Sequence, residues 1–258
     1  MSRAPSIVSR VVLGLLLLFA AVLTFELIFN RDHYFVGIDY RTYRDAAAGW
    51  LAGDGFYRPF QLAGRYDVVN DPTNYAILYP PVVLWLLVPF IFLPAWLWWA
   101  IPISIIAIAL WFLRPAIWAW CVLLAAFDFW GRVPELFMWG NPGMWAVAVG
   151  ALGTIVPGAA VAVLLKPTLA PFALFGVNRR AWWVGLAIFV AACLPFGGMW
   201  LDYARVVSNS SLTITYSLWD YPAMALPIVA WLGRSGRSLT SYLPEIGRSR
   251  QSPELDGH

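Results

Sequence analysis

The sequence predicts an all-α polytopic membrane protein with about eight transmembrane helices. Of its 258 residues, 61% are hydrophobic and only 12% are charged, whereas an average soluble domain has about 25% charged residues. The mean hydropathy is +0.69, and the apolar residues form runs that are separated by Pro, Gly and Arg. The 16 Trp and 11 Tyr residues are typical of helix ends at lipid headgroups. The net charge of +3 is scattered through the loops, so no nucleic-acid partner is predicted.

The first predicted transmembrane helix is Ile7–Phe29, with Arg3 and Arg10 at its start. No small-x-small cleavage site follows, so we expect an uncleaved anchor with a cytoplasmic N-terminus. Further crossings are expected at residues 82–93, 95–113, 116–129, 144–156, 158–177, 182–196 and 223–232. Several of these runs are shorter than the ~17 residues of a perpendicular crossing, so some are expected to be broken or re-entrant helices. The membrane side of Asn141 and Lys166 therefore stays open.

Two polar segments are predicted as external loops of the membrane domain, which spans residues 1–233. The first loop covers residues 30–78 and the second covers residues 197–219. The first loop is the more prominent one, because five of the 14 acidic residues lie between Asp39 and Asp71. Long polar loops on a rigid scaffold often carry catalytic residues. Residues 234–258 are rich in Arg and Ser and are predicted to form a poorly ordered cytoplasmic tail.

The first loop contains a predicted amphipathic helix over residues 40–51. Its apolar stripe, which spans about 100° of the helical wheel, consists of Tyr40, Tyr43, Ala47, Trp50 and Leu51. Arg41, Thr42 and Asp45 lie on the opposite face, so we expect a helix in the plane of the membrane interface. Asp39 stands at its start, where a carboxylate is favoured as the N-cap.

The order of four motifs resembles that of the glycosyltransferase C superfamily, and most closely of the family 87 mannosyltransferases. The first motif comprises Asp39, Tyr43, Ala46-Ala47-Ala48, Leu51, Gly53 and Tyr57. The second comprises Tyr79-Pro80-Pro81, Pro89 and Leu93-Pro94. The third is a degraded form of Gly-Gln-x-Asn at Gly140-Asn141-Pro142, and the fourth is a small-residue run that ends in Lys166-Pro167 before Arg179-Arg180. Together these motifs cover residues 37–180.

The resemblance implies transfer of a sugar, with mannose as the first candidate, from a polyprenyl phosphate to a glycolipid or envelope glycan. It further implies an active site on the external face of a bacterial plasma membrane. The position of Asp39 in the first motif matches the family's catalytic aspartate, so Asp39 is expected to be the general base. The alternative for Asp39 is a plain N-cap.

The residues themselves suggest further roles in such a reaction. Lys166 is the only lysine of the chain and lies in an apolar run, which makes it a functional candidate for binding the donor phosphate, with interfacial snorkelling as the alternative. Arg44 is a second candidate for that phosphate. Tyr43, Tyr79 and Asn141 are candidates for the sugar site, against aromatic packing for the tyrosines and a turn for the asparagine. Asp202 and Asp220 bracket the second loop and are candidates for binding the acceptor.

Metal and disulfide chemistry is not predicted. Cys121 and Cys193 lie inside apolar runs and are expected to be ordinary membrane-helix residues. His33 and His258 are the only histidines, and no Asp-x-Asp pair is present in the sequence. No obligatory metal cofactor is therefore expected.

Two departures from the family pattern keep other functions open. The Gln of the third motif is absent and the chain is short, which suggests a reduced enzyme, an enzyme that needs a partner subunit, or a non-catalytic relative. A transporter or lipid flippase is a further alternative, since broken helices and a buried lysine also occur there. An inverted repeat would favour transport, and the long first loop has no counterpart in the second half of the sequence.

Overall fold

The computed structural model describes residues 7–29, 36–67, 75–211 and 218–234, and every regular element in these ranges is a helix. The predicted tail after residue 234 and parts of both predicted loops lie outside the described residues. The α-helices are α1 (Ile7–Phe29), α2 (Ile38–Ala52), α3 (Pro59–Ala63), α4 (Leu84–Leu87), α5 (Pro89–Phe92), α6 (Leu97–Leu113), α7 (Ile117–Phe129), α8 (Arg132–Met138), α9 (Gly143–Gly153), α10 (Ala170–Ala173), α11 (Arg180–Cys193), α12 (Met199–Asn209) and α13 (Tyr221–Leu232). The 3₁₀ helices are Pro81–Val83, Pro157–Leu165, Pro167–Leu169 and Leu194–Phe196.

The described helices give fewer clear membrane crossings than the sequence predicts. One helix, α1, is long and apolar enough to cross a membrane by itself, over Ile7–Glu26. Two bent pairs bring the number to at most 3: Pro81–Phe92 with Leu97–Leu113, bent by 119°, and Arg180–Phe196 with Met199–Asn209, bent by 92°. The helices α7, α9 and α13 are apolar but shorter. The all-helical prediction is confirmed for the described residues, whereas a count of eight crossings is not.

Helix α2 matches the predicted helix of the first loop, but its apolar face packs against other parts of the protein. Tyr40, Tyr43, Ala46 and Ala47 are buried. The Tyr40 ring lies 5.4 Å from that of Trp98 and 5.3 Å from that of Trp99. The predicted stripe is therefore correct up to Ala47 but ends before Leu51, which is 49% exposed. The helix ends at Gly53, which has a φ of 94° that glycine adopts without a steric penalty.

The two predicted loops contact each other through α3 and α12. The predicted loop at residues 197–219 contains α12, because its apolar residues recur at helical spacing and bury one face. The Tyr66 hydroxyl donates to the Val206 carbonyl oxygen at 2.9 Å, and the Asn209 side chain donates to the Gln61 carbonyl oxygen at 2.9 Å. These bonds hold both segments on the same side of the molecule.

Gln61 orders the part of the first loop in which the sequence shows no periodicity. Its side chain is fully buried. It donates to the Ile77 carbonyl oxygen at 3.0 Å and accepts from the Ile77 N–H at 3.1 Å. It also accepts from the Arg58 N–H at 3.1 Å. This one amide therefore pairs the backbone on both sides of the loop and sets the path that leads into Tyr79.

We expect Gln61→Leu to lower the free energy of unfolding by about 2–4 kcal/mol, because each buried polar group left unpaired costs about 1–3 kcal/mol. Chemical denaturation in detergent micelles measures the change. Leu62→Ala is the control, since Leu62 lies on the same short helix and is 37% exposed. Equal stability of Gln61→Leu and wild type would contradict this role.

Candidate active site

The N-terminus of α2 is held against the end of α8, and this contact positions Asp39. The Gly37 N–H donates to the Met138 carbonyl oxygen at 2.8 Å, and the Asp39 N–H donates to the Trp139 carbonyl oxygen at 2.9 Å. The first N–H groups of a helix lack partners within the helix, and here α8 supplies the acceptors. The helix begins at Ile38 and Gly37 is its N-cap, so the prediction that Asp39 is the N-cap is wrong. Its carboxylate is free for another use.

The turn after α8 places Asn141 beside Asp39. Gly140 has a φ of 66°, and a Cβ at this position would lie 2.8 Å from the Trp99 ring and 2.9 Å from the Tyr40 Cβ. Both the backbone conformation and the space therefore require glycine. The Trp98 indole N–H donates to the Gly140 carbonyl oxygen at 2.8 Å and fixes the turn to α6.

The Asn141 amide holds one oxygen of the Asp39 carboxylate. Its Nδ2 donates to Asp39 Oδ2 at 2.5 Å. Its Oδ1 accepts from the Tyr79 hydroxyl at 2.9 Å and from the Gly143 N–H at 2.7 Å. Two donors on Oδ1 determine the orientation of the amide, so the NH₂ group must face the carboxylate. Among the described residues, none donates a hydrogen bond to the other carboxylate oxygen, Asp39 Oδ1.

Burial raises the pKa of the Asp39 carboxyl above its usual range. The hydrogen bond from Asn141 and the charges of Arg132 and Lys166 lower this pKa by less than burial raises it, and the charge of Asp220 raises it further. A carboxylate with a raised pKa is a stronger base than an exposed one. The charges that act on this pKa belong to Arg132, Lys166 and Asp220, which come from three other segments.

Two cations converge on one buried carboxylate next to this position. Lys166 Nζ donates to Asp220 Oδ2, and Arg132 Nε donates to Asp220 Oδ1 at 3.1 Å. Arg132 also lies 3.8 Å from Glu135 on its own helix. The Asp220 side chain is 3% exposed, whereas those of Lys166 and Arg132 are 16% and 15% exposed. The cations are therefore more accessible than the carboxylate that they share.

Three separate segments build this ion cluster. Lys166 lies at the extended junction between the 3₁₀ helices Pro157–Leu165 and Pro167–Leu169, and Arg132 is the first residue of α8. Asp220 is the N-cap residue of α13, but its side chain makes no capping hydrogen bond. Asp is a favoured capping residue. Here the Asp220 carboxylate instead pairs with two cations that are distant from it in the sequence.

Tyr43 and Tyr79 support the site from within the core. Their rings are 5.1 Å apart in an edge-to-face arrangement, and both residues are buried. Lys166 Nζ lies 5.6 Å from the centroid of the Tyr79 ring. Burial raises the pKa of the Tyr79 hydroxyl well above its usual value, so this hydroxyl stays protonated and donates to Asn141. Tyr79 therefore links the two halves of the site through its ring and its hydroxyl.

The remaining predicted residues, Arg44 and Asp202, make their recorded contacts elsewhere. Arg44 pairs with Asp45 at 3.0 Å, and both side chains are exposed. Asp202 lies 3.5 Å from Arg205, again at the surface. The structure thus brings together Asp39, Tyr79, Asn141 and Lys166. The ion pairs of Arg44 and Asp202 lie elsewhere, at the surface.

Sequence reasoning missed Arg132, which joins the cluster from the polar break between two apolar runs. The available signal was its position, since an ionisable residue between membrane segments is a functional candidate in the same way as Lys166. The sequence suggests Asp220 only for binding the acceptor, whereas its side chain forms ion pairs with Lys166 and Arg132. No local pattern could have shown that pairing.

An apolar cleft of about 680 Å³ opens between the start of the segment after Tyr79 and helix α11. Val82 and Trp85 line one side and Ile188 and Phe189 line the other. Leu165, the residue directly before Lys166, also lines it. The cleft therefore extends to the residue that precedes Lys166 in the sequence.

No protein-family model, curated protein or solved structure matches this chain. Among the described residues, no group of three or more His, Cys, Asp and Glu side chains is arranged to hold a metal ion, and Cys121 and Cys193 are free thiols. That the activity needs no metal stays a prediction.

Proposed function

We propose that the chain is a multi-pass membrane glycosyltransferase that moves a sugar from a polyprenyl phosphate to a hydroxyl group of a glycolipid or envelope glycan. Mannose is the first candidate sugar, from the motif resemblance of residues 37–180. The observation that carries the proposal is that Asn141 and Tyr79 connect the Asp39 carboxylate to Lys166, which shares Asp220 with a second cation, Arg132. Proton abstraction and phosphate departure need these two kinds of group.

In the proposed reaction Asp39 is the general base. The acceptor hydroxyl oxygen forms a bond to the anomeric carbon of the donor sugar while its proton moves to Asp39 Oδ1. The bond between the anomeric carbon and the phosphate oxygen breaks, and its electron pair leaves with the lipid phosphate. Asn141 keeps Oδ2 occupied at 2.5 Å, so the carboxylate cannot rotate freely and Oδ1 is presented in one direction.

Lys166 and Arg132 are the groups that would stabilise the departing phosphate. The phosphate gains negative charge as its bond to the sugar breaks, and cations fixed in a partly buried position stabilise that charge better than water does. Their shared contact with Asp220 holds them in place before the donor arrives. The apolar cleft beside Leu165 would accept the first isoprenoid units of the lipid.

The proposal places the site at the external surface of a bacterial plasma membrane. Helix α1 anchors the chain, and the bent pairs together with the short helices α7, α9 and α13 are proposed to give about eight complete or partial crossings. Helices α2, α3 and α12 would then cover the external side.

Reconstitution of the purified full chain in lipid vesicles tests the proposal. The vesicles contain a radiolabelled polyprenyl-phosphate sugar and an extract of envelope glycolipids, and transfer is measured as label in the acceptor after chromatography. Transfer that depends on the protein supports the function. If no radiolabelled sugar is transferred from polyprenyl-phosphate mannose, glucose or arabinose, even with native membranes added to supply a partner, the proposed function is wrong.

The pH dependence of transfer provides a more specific prediction. Asp39 must be ionised to act as a base, and burial raises its pKa, so the rate should fall with decreasing pH at values above the usual carboxyl range. Asn141→Ala removes a hydrogen bond that lowers this pKa. We expect the acidic limb of kcat/KM to move to higher pH in this variant. Asn178→Ala, at an exposed residue, is the control, and an unmoved limb in Asn141→Ala would contradict the assignment.

A further inference from the structure

The ion cluster of Arg132, Lys166 and Asp220 has the composition of an anion site that is already occupied. Two cations from different segments donate to the two oxygens of one carboxylate. A phosphate group also presents several oxygens to such a pair, and arginine and lysine are its usual ligands. Asp220 therefore stands where a phosphate oxygen would bind.

A purely structural role explains this cluster less well. Burying ion pairs costs desolvation free energy that the attraction often does not repay, so such clusters are weak contributors to stability. Asp220 also leaves the helix that it precedes without a side-chain cap. Other hydrogen bonds hold its neighbours: the Trp130 indole N–H donates to the Trp219 carbonyl oxygen at 3.1 Å, and the Tyr221 hydroxyl donates to the Thr168 carbonyl oxygen at 3.0 Å. These two bonds hold the turn independently of the Asp220 carboxylate.

We propose that Arg132 and Lys166 form one phosphate site, and that Asp220 is an internal ligand of this site that the phosphate displaces. This inference deepens the proposed function and rests on it, because it concerns the phosphate of the proposed donor. Asp220 pairs with both cations when no phosphate is bound, and it competes with a bound phosphate for them.

Competition of this kind matters most for the product. The proposed donor is a phosphate diester with one negative charge, whereas the released lipid phosphate is a monoester with a charge of about −1.5 to −2 at pH 7. Two cations alone would hold the product more tightly than the donor. The carboxylate of Asp220 offers the cations an alternative partner, and the lipid phosphate therefore leaves more readily.

The exposed fractions of the three charged side chains agree with displacement of Asp220 by an incoming phosphate. The side chains of Lys166 and Arg132 are 16% and 15% exposed, and that of Asp220 is 3% exposed. An incoming anion therefore reaches the cations before it meets the carboxylate. After displacement the bound phosphate compensates both cations, and Glu135, 3.8 Å from Arg132, is a second carboxylate near that cation.

Binding of farnesyl phosphate to the full chain in detergent micelles tests the inference, with farnesol as the uncharged control ligand. We expect Asp220→Asn to bind farnesyl phosphate about tenfold more tightly than wild type, because it removes a competing charge close to both cations. Arg132→Gln should bind about tenfold more weakly. Asp54→Asn, at an exposed residue of the first loop, should bind as wild type does, and no variant should change the affinity for farnesol.

Equal or weaker binding of farnesyl phosphate by folded Asp220→Asn would overturn the proposal. If Asp220→Asn does not fold, Arg132→Gln decides the question, since it leaves the pair of Lys166 and Asp220 intact; binding as tight as in wild type would then overturn the proposal. The sugar-transfer assay separates this inference from the function. Tighter phosphate binding without any sugar transfer would disprove the glycosyltransferase and leave the phosphate site standing.

Discussion

Asp39→Asn is expected to lower the rate of sugar transfer by about 10²–10⁴-fold, the usual contribution of a general base. Asparagine has nearly the same shape but cannot accept the hydroxyl proton. The variant leaves Lys166 and Arg132, the proposed phosphate ligands, in place, so the affinity for the donor should change little. Initial rates with the radiolabelled donor, together with direct donor binding, measure the two effects separately.

Asp45→Asn is the matched control for Asp39→Asn. Asp45 lies on the same helix, is exposed, and pairs with Arg44 at the surface, so its variant should transfer sugar at the wild-type rate. The stability of Asp39→Asn provides a second control. Because folding raises the pKa of Asp39, the ionised carboxylate reduces stability above that pKa, and the neutral amide should fold at least as stably at pH 7. A wild-type rate in Asp39→Asn would remove the catalytic assignment.

Lys166→Ala is expected to weaken donor binding by at least ~30-fold, because truncating one member of a buried charge pair costs about 2–5 kcal/mol. The variant removes one of the two cations and leaves Asp220 paired with Arg132 alone. Equilibrium binding of the polyprenyl-phosphate sugar measures the loss. The rate at saturating donor should also fall, since the same charge stabilises the departing phosphate.

Arg179→Ala is the control for Lys166→Ala, because it removes one exposed positive charge at the start of α11. It tests whether the loss of charge alone weakens binding to vesicles or micelles. Unchanged donor affinity in Lys166→Ala, or an equal loss in Arg179→Ala, would show that Lys166 does not bind the phosphate.

Helix α2 shows what a local sequence pattern can predict and what it cannot. The spacing of Tyr40, Tyr43 and Ala47 predicts the helix and its buried face, and the structure confirms both. The same pattern cannot show what covers that face. The sequence predicts that this face lies at the membrane interface, but Tyr40 packs against the rings of Trp98 and Trp99. Aromatic side chains from a distant part of the chain can bury an apolar stripe as well as lipid can.

The run at residues 158–177 shows that apolar composition alone does not give the shape of a segment. Its first part forms the 3₁₀ helix Pro157–Leu165, and Pro167 and Pro171 remove the N–H groups that a continuous α-helix needs. Gly158 and Gly185 lie so close that a Cβ on Gly185 would contact the Gly158 carbonyl oxygen. This packing against α11 stabilises a shape that hydropathy does not indicate.

The sequence by itself determined the helical class, the helix of the first loop, and the selection of Asp39, Tyr79, Asn141 and Lys166 as candidates. These features depend on composition, on spacing, on the cost of a charge in an apolar run and, for Asp39, on the motif resemblance of residues 37–180, all of which can be read from the sequence. Only the tertiary structure decided that Arg132 and Lys166 share Asp220, residues that are 88 and 54 positions away from it. The physical reason is that a buried ion cluster depends on distances between segments, and no local pattern records those distances.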